Sequence, residues 1–194
     1  MSQRDRTWLV QSVAFFRRLH FYHQFSHLSD DAIATELLRR WQEMVDKELD
    51  LSTRYVDFDL LMWDSNRVWW EDLEADVCDG NDIYVETLGQ WGAISRGVFQ
   101  PTNIIERWAS ETGPIRIDFD HQGQHFLFYP QYLDDYIDIN LLVPINRMIG
   151  QTGIQFEVYE AFDQTAFVVA LRSNEKEELQ EQRGWKFAHL TDSA

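Results

Sequence analysis

A single cysteine, Cys78, stands in a chain of 194 residues. One thiol excludes an internal disulfide framework and a cysteine-built zinc site, and it suits a reducing cytoplasm. The residues around it are acidic, which raises a thiol pKa and argues against a thiolate nucleophile. Long apolar runs are lacking as well. No stretch approaches the ~18 uncharged apolar residues of a membrane span, and Gln11, Arg17 and Arg18 break the first apolar run, unlike a secretory leader. Basic residues are scarce, with 17 Lys and Arg against 33 Asp and Glu, a net charge of −16 and a pI near 4.6. That balance speaks against direct binding of nucleic acid, whose phosphates need Lys and Arg, and against an anionic membrane face. The catalytic and phosphate-binding signatures GxSxG, GxxxxGK with Ser or Thr, HExxH and GxGxxG are missing. No cofactor is expected.

What the chain has in excess is acid, concentrated between Asp57 and Glu86. Ten carboxylates lie there (Asp57, Asp59, Asp64, Glu71, Asp72, Glu74, Asp76, Asp79, Asp82 and Glu86) against one base, Arg67. Trp63, Trp69 and Trp70 are interleaved with them. A merely solvated segment has no need of three tryptophans, and a merely buried one cannot hold so many carboxylates. The expectation is an ordered acidic surface anchored from below by aromatic rings.

Hydrophobic periodicity predicts helices over 6–27, from Ser29 to about Lys47, over 68–77, over 82–95 and after Pro101. The segment 54–64 fits neither period. Past Gly113 the period becomes two: Ile115, Ile117 and Phe119 alternate with Arg116, Asp118 and Asp120. A Gln122-Gly123 turn then sets Phe119 opposite Phe126, Ile117 opposite Phe128 and Asp120 opposite His125. One helix over Leu133–Met148 should follow, kinked or restarted at Pro144. A second hairpin should pair Ile154, Phe156 and Val158 with Leu171, Val169 and Phe167 around a loop AFDQ. Its last strand is apolar on both faces and therefore interior or covered. Asn174 and Glu177 look like a capping box for a polar terminal helix, and 191–194 reads as a frayed tail. No linker composition separates the halves. The expected fold is a single α+β domain over 1–194, mainly helical over 1–112, packed with an antiparallel ββαββ sheet and a terminal helix over 113–190.

Three constellations invite chemistry. His20, His23 and His27 share a face if their helix is continuous, but they span about 10 Å, too far for one small ion. Asp118, Asp120, His121 and His125 on the first hairpin form the better candidate for a divalent cation or acid–base work, which would make the chain a small metal-dependent hydrolase. The third is the acidic stretch. Its expected binding residues are Asp64, Trp69, Trp70, Glu71, Asp72, Glu74, Asp76 and Asp79. They would meet Lys and Arg of a basic protein, a toxin or nuclease for instance, as immunity proteins, inhibitors and DNA mimics do. This non-enzymatic reading leads. A self-associating subunit, with the basic first helix docked on another copy's acidic stretch, is the remaining alternative.

Overall fold

Ser2 opens the first helix, α1 (Gln3–Arg18), by a reciprocal capping box with Asp5. The structure is a computed structural model that describes residues 2–45, 47–159 and 164–191. Within them the helices lie mainly in the first half, two three-stranded antiparallel sheets follow, and a terminal helix closes an α+β fold. Among the described residues no helix is long and apolar enough to cross a membrane. The chain divides into two compact units, Met1–Val68 and Trp69–Ala194.

In the first unit, α1 ends well short of the predicted Phe25–His27 region. Phe16, Phe21 and Tyr22 are all buried, and the Leu19 and Phe21 amides both close back on the Phe16 carbonyl. The chain turns instead, with His20 at φ 65° and Tyr22 at φ 60°, and a short 3-10 turn spans His23–Phe25. The three histidines therefore do not share a helical face. Arg67 donates to the carbonyls of Leu19 and His20, and buried Asp64 accepts from the Tyr22 amide. The helix α2 (Asp30–Val45) follows its predicted cap, since Ser29 Oγ accepts from the Ala32 amide. Segment 54–64 resolves as a short helix, α3 (Val56–Leu61).

The second unit corrects several sequence expectations. Residues 68–72 form a strand, β1 (Val68–Asp72), where a helix was expected. As a helix, Glu71 with Glu74 and Asp72 with Asp76 would place like charges one turn apart. Helix α4 (Ile83–Ile94) stands as predicted. The segment after Pro101 is a strand, β2 (Thr102–Trp108), with Ile104 and Trp108 toward the core and Ile105 and Arg107 outward. β3 (Ile115–His121) and β4 (Gln124–Phe128) pair in the predicted register, Ile117 with Phe128 and Phe119 with Phe126. The expected long helix shrinks to a 3-10 turn and α5 (Leu142–Ile149). Pro144 falls in its first turn, where a missing N–H costs nothing.

β5 (Ile154–Val158) and β6 (Thr165–Arg172) pair one residue out of the expected register, with Phe156 opposite Ala170 and Val158 opposite Val168. The slip is tolerated because β6 is apolar on both sides. Phe167 packs outside the main core against Tyr159 and Trp185. The loop AFDQ lies largely outside the described residues, as does most of the 191–194 tail. The hairpins do not form one ββαββ sheet: β2–β3–β4 make one sheet and β1–β6–β5 the other, with β6 central as its composition implied. The outer edge of β5 is met by a side chain. Asn146 donates to the Phe156 carbonyl at 2.8 Å and accepts from its amide at 2.7 Å. The last helix, α6 (Ser173–Arg183), is capped at Arg172 by Glu175 rather than at Asn174 by Glu177. Glu175 is needed there because its carboxylate also holds Arg96 at 2.7 Å, with both groups largely out of water.

Candidate functional site

Strand β1 and helix α4 bring three acids of the stretch together, Glu71, Asp72 and Glu86. Alternation along β1 sends Trp69 inward, edge-on to Trp91 with ring centroids 5.7 Å apart, and leaves Trp70 37% exposed. On α4, Ile83, Glu86, Thr87 and Gln90 recur at helical spacing and share one face. Trp69 Nε1 donates to Gln90 Oε1 at 2.6 Å and ties strand to helix. Between them lies a small cavity of about 140 Å³, with Trp69, Ile83 and Ile137 as apolar lining and Glu71, Asp72 and Glu86 as acidic lining. No Lys or Arg is among its lining residues. The Glu71 carboxyl is pushed up, first by partial burial and then by the charge of Glu86. Two acids crowd each other there with no base to relieve them.

The remaining expected residues divide. Glu74 is exposed but accepts from Gln164 at 3.0 Å, and Asp76 from Asn81 at 3.1 Å. Asp76 and Asp79 flank Cys78, whose thiol is raised by its surroundings and then by Asp76, Asp135, Asp79 and Glu106. Asp64 is fully buried in the first unit and belongs to no exposed acidic surface. Trp69 is likewise core rather than a surface anchor. Glu86 and Gln90 were missed as site residues, although the 83, 86, 87, 90 spacing on a predicted helix is the signal that marks them.

On the first hairpin, Asp118, Asp120 and His125 do come together, with His125 Nδ1 3.0 Å from Asp120 and Nε2 3.4 Å from Asp118. Asp118 is already engaged by Arg107 and Arg116, and the Arg116 hydrogen bond above all holds its carboxyl below the usual range. His121 turns the other way, buried beside Phe99 and accepting from the Gln100 amide. Among the described residues, no group of three or more His, Cys, Asp or Glu is arranged to hold a metal ion. Against family models, curated proteins and solved structures the chain finds no match, so its own residues carry the functional argument.

Proposed function

We propose that this chain is a non-enzymatic acidic binding protein that engages a basic protein partner. The β1–α4 cavity would receive the end of a partner lysine or arginine. The supporting observation is the pairing of an apolar floor with three acids and no base. An ammonium or guanidinium group carries its charge on an apolar stem, which matches such a lining better than a compact metal ion does. Exposed Trp70 and the acids of 72–82 extend the surface, so that charge speeds encounter and aromatic contact slows release. Partners of this chemistry include toxins and nucleases, which immunity proteins and DNA mimics neutralise by the same physics. A reducing compartment such as the cytoplasm suits the lone thiol.

A hexalysine peptide is a direct probe. The reading expects it to bind and to quench or shift tryptophan emission. Glu71→Gln with Glu86→Gln should weaken binding about tenfold or more, equivalent to about 1.4 kcal/mol. Glu177→Gln with Glu181→Gln, which removes the same charge from exposed positions of α6, should leave it nearly unchanged. Equal loss in both double variants would reduce the interaction to diffuse net charge and overturn the cavity as its focus.

A further inference from the structure

The outer face of the β2–β3–β4 sheet lies apart from the acidic cavity and differs from it in chemistry. Ile105 is 45% exposed, Leu127 43% and Tyr129 61%. Register places Ile105 and Leu127 on either side of Asp118, forming one row across three strands. Toward one end of the face lie Arg107 and Arg116, and toward the other lies Asp120 with His125 and Asn103. Two arginines balance Asp118 and Asp120, so the face is close to neutral on a protein of net charge −16. An apolar row with opposite charges on its two flanks, along the strands, is self-complementary, which is what a twofold contact between identical surfaces requires.

We propose that two copies of this chain pair through this face about a twofold axis lying along the Ile105–Asp118–Leu127 row. That axis reverses the strand direction. It sets Ile105 against Ile105, Leu127 against Leu127, and Arg116 of each copy against Asp120 of the other. Asp118 meets Asp118, but each is nearly buried and held by Arg107 and Arg116 of its own copy. A twofold axis along β3 instead would face Arg116 with Arg116, and charge disfavours it. Arg116 and Asp120 are four residues apart on β3, about 13 Å at the usual rise, so both ion pairs form together on the two flanks of the row. The face spans about 300 Å² by strand spacing and rise, less than the about 800 Å² per partner of a standard stable interface. The dimer is accordingly weak and reversible.

Sedimentation velocity over about 5 to 500 µM protein, a range that brackets weak association, tests the pairing. At 0.15 M salt the mass should rise from 23.1 kDa toward twice that value with concentration. Leu127→Glu with Ile105→Glu, both exposed changes, should hold the chain monomeric with its circular dichroism unchanged. Tyr129→Ser offers an even milder truncation and should weaken pairing several-fold. Arg116→Asp and Asp120→Arg should each weaken it, and the two together should restore it. Because salt screens the repulsion between two acidic molecules, pairing should strengthen between low and moderate salt. Docking of a basic helix on the acidic stretch would weaken instead. A chain monomeric at every concentration, or a dimer indifferent to the Leu127 and Ile105 changes, overturns the proposal. Neither result bears on hexalysine binding.

Discussion

Half burial and the charge of Asp50 raise the Asp59 carboxyl to about 6. The folded chain therefore holds this proton more tightly than the unfolded chain does. The resulting stability is fully present below the unfolded value near 3.8 and is lost as pH rises through about 6. Asp64, Glu71 and Glu106 are raised as well, mainly by burial, and act in the same sense. Glu36 acts in the opposite sense, being held down to about 2 by Arg39 and Arg40, but its contribution fades only below about 4.5. Thermal melts should thus shift upward as pH falls from 7.5 to 5, and Asp59→Asn should flatten that rise. A wild-type melting temperature that falls over this range would contradict the assignment. Glu175 is a second residue whose environment sets its worth. Its carboxylate caps α6 and holds Arg96, and its side chain is only 4% exposed. Glu175→Ala leaves a guanidinium without its partner in a largely buried place. Urea denaturation should register a loss of about 3 kcal/mol or more.

Among the elements, the β3–β4 hairpin gives the sharpest contrast. Phe119 is fully buried, stacked on Phe126 and edge-on to Phe128 and Phe99. Phe119→Ala should cost about 3–5 kcal/mol, and Phe128→Ala less, because that ring is only half-buried. Alternation alone makes Asp118→Ala look nearly harmless, since Asp118 lies on the outer face. In the structure it sits 5% exposed between two arginines. Its removal should lower the denaturation midpoint more than Asp120→Ala does, and equal midpoints would argue against the arginine clasp. The hairpin was legible because a strict period of two, a Gly-containing turn and one apolar face all demanded the same register. Elsewhere these signals conflicted. Thr102–Trp108 contains the adjacent pair Ile104-Ile105, which reads as helix until β3 supplies a neighbour. Val68–Asp72 is a strand because β6 needs a partner, a long-range fact invisible in five residues. The second hairpin slipped by one because Val168 and Val169 suit either face. Of the candidate site, the acidity of 71–76 and the shared 83, 86, 87, 90 face of α4 were legible, but their meeting was not, since 68–72 reads as helix and pairing strand with helix is a tertiary event.

For the molecule as a whole, charge should govern any encounter through the acidic region. The Debye length contracts from about 10 Å at 0.1 M salt to about 3 Å at 1 M, so hexalysine binding should weaken steeply across that range. A salt-indifferent affinity would remove electrostatic steering from the account. The Asn146 contact on β5 acts at this scale too. A side-chain amide has the donor and acceptor of a peptide group, so at Phe156 it occupies the place of a missing neighbouring strand. Nearby, the Ala188 amide donates to the Val158 carbonyl, which extends the cover. An uncovered edge beside the apolar strand β6 would be a template on which further chains could add. Asn146→Ala should therefore do more harm to colloidal behaviour than to folding. Warmed samples should scatter light and bind thioflavin earlier than wild type, at nearly the same melting temperature. Onset unchanged from wild type would mean that the chain after α6 guards the edge by itself. An earlier onset would make one amide the difference between a sheet that ends and a sheet that recruits.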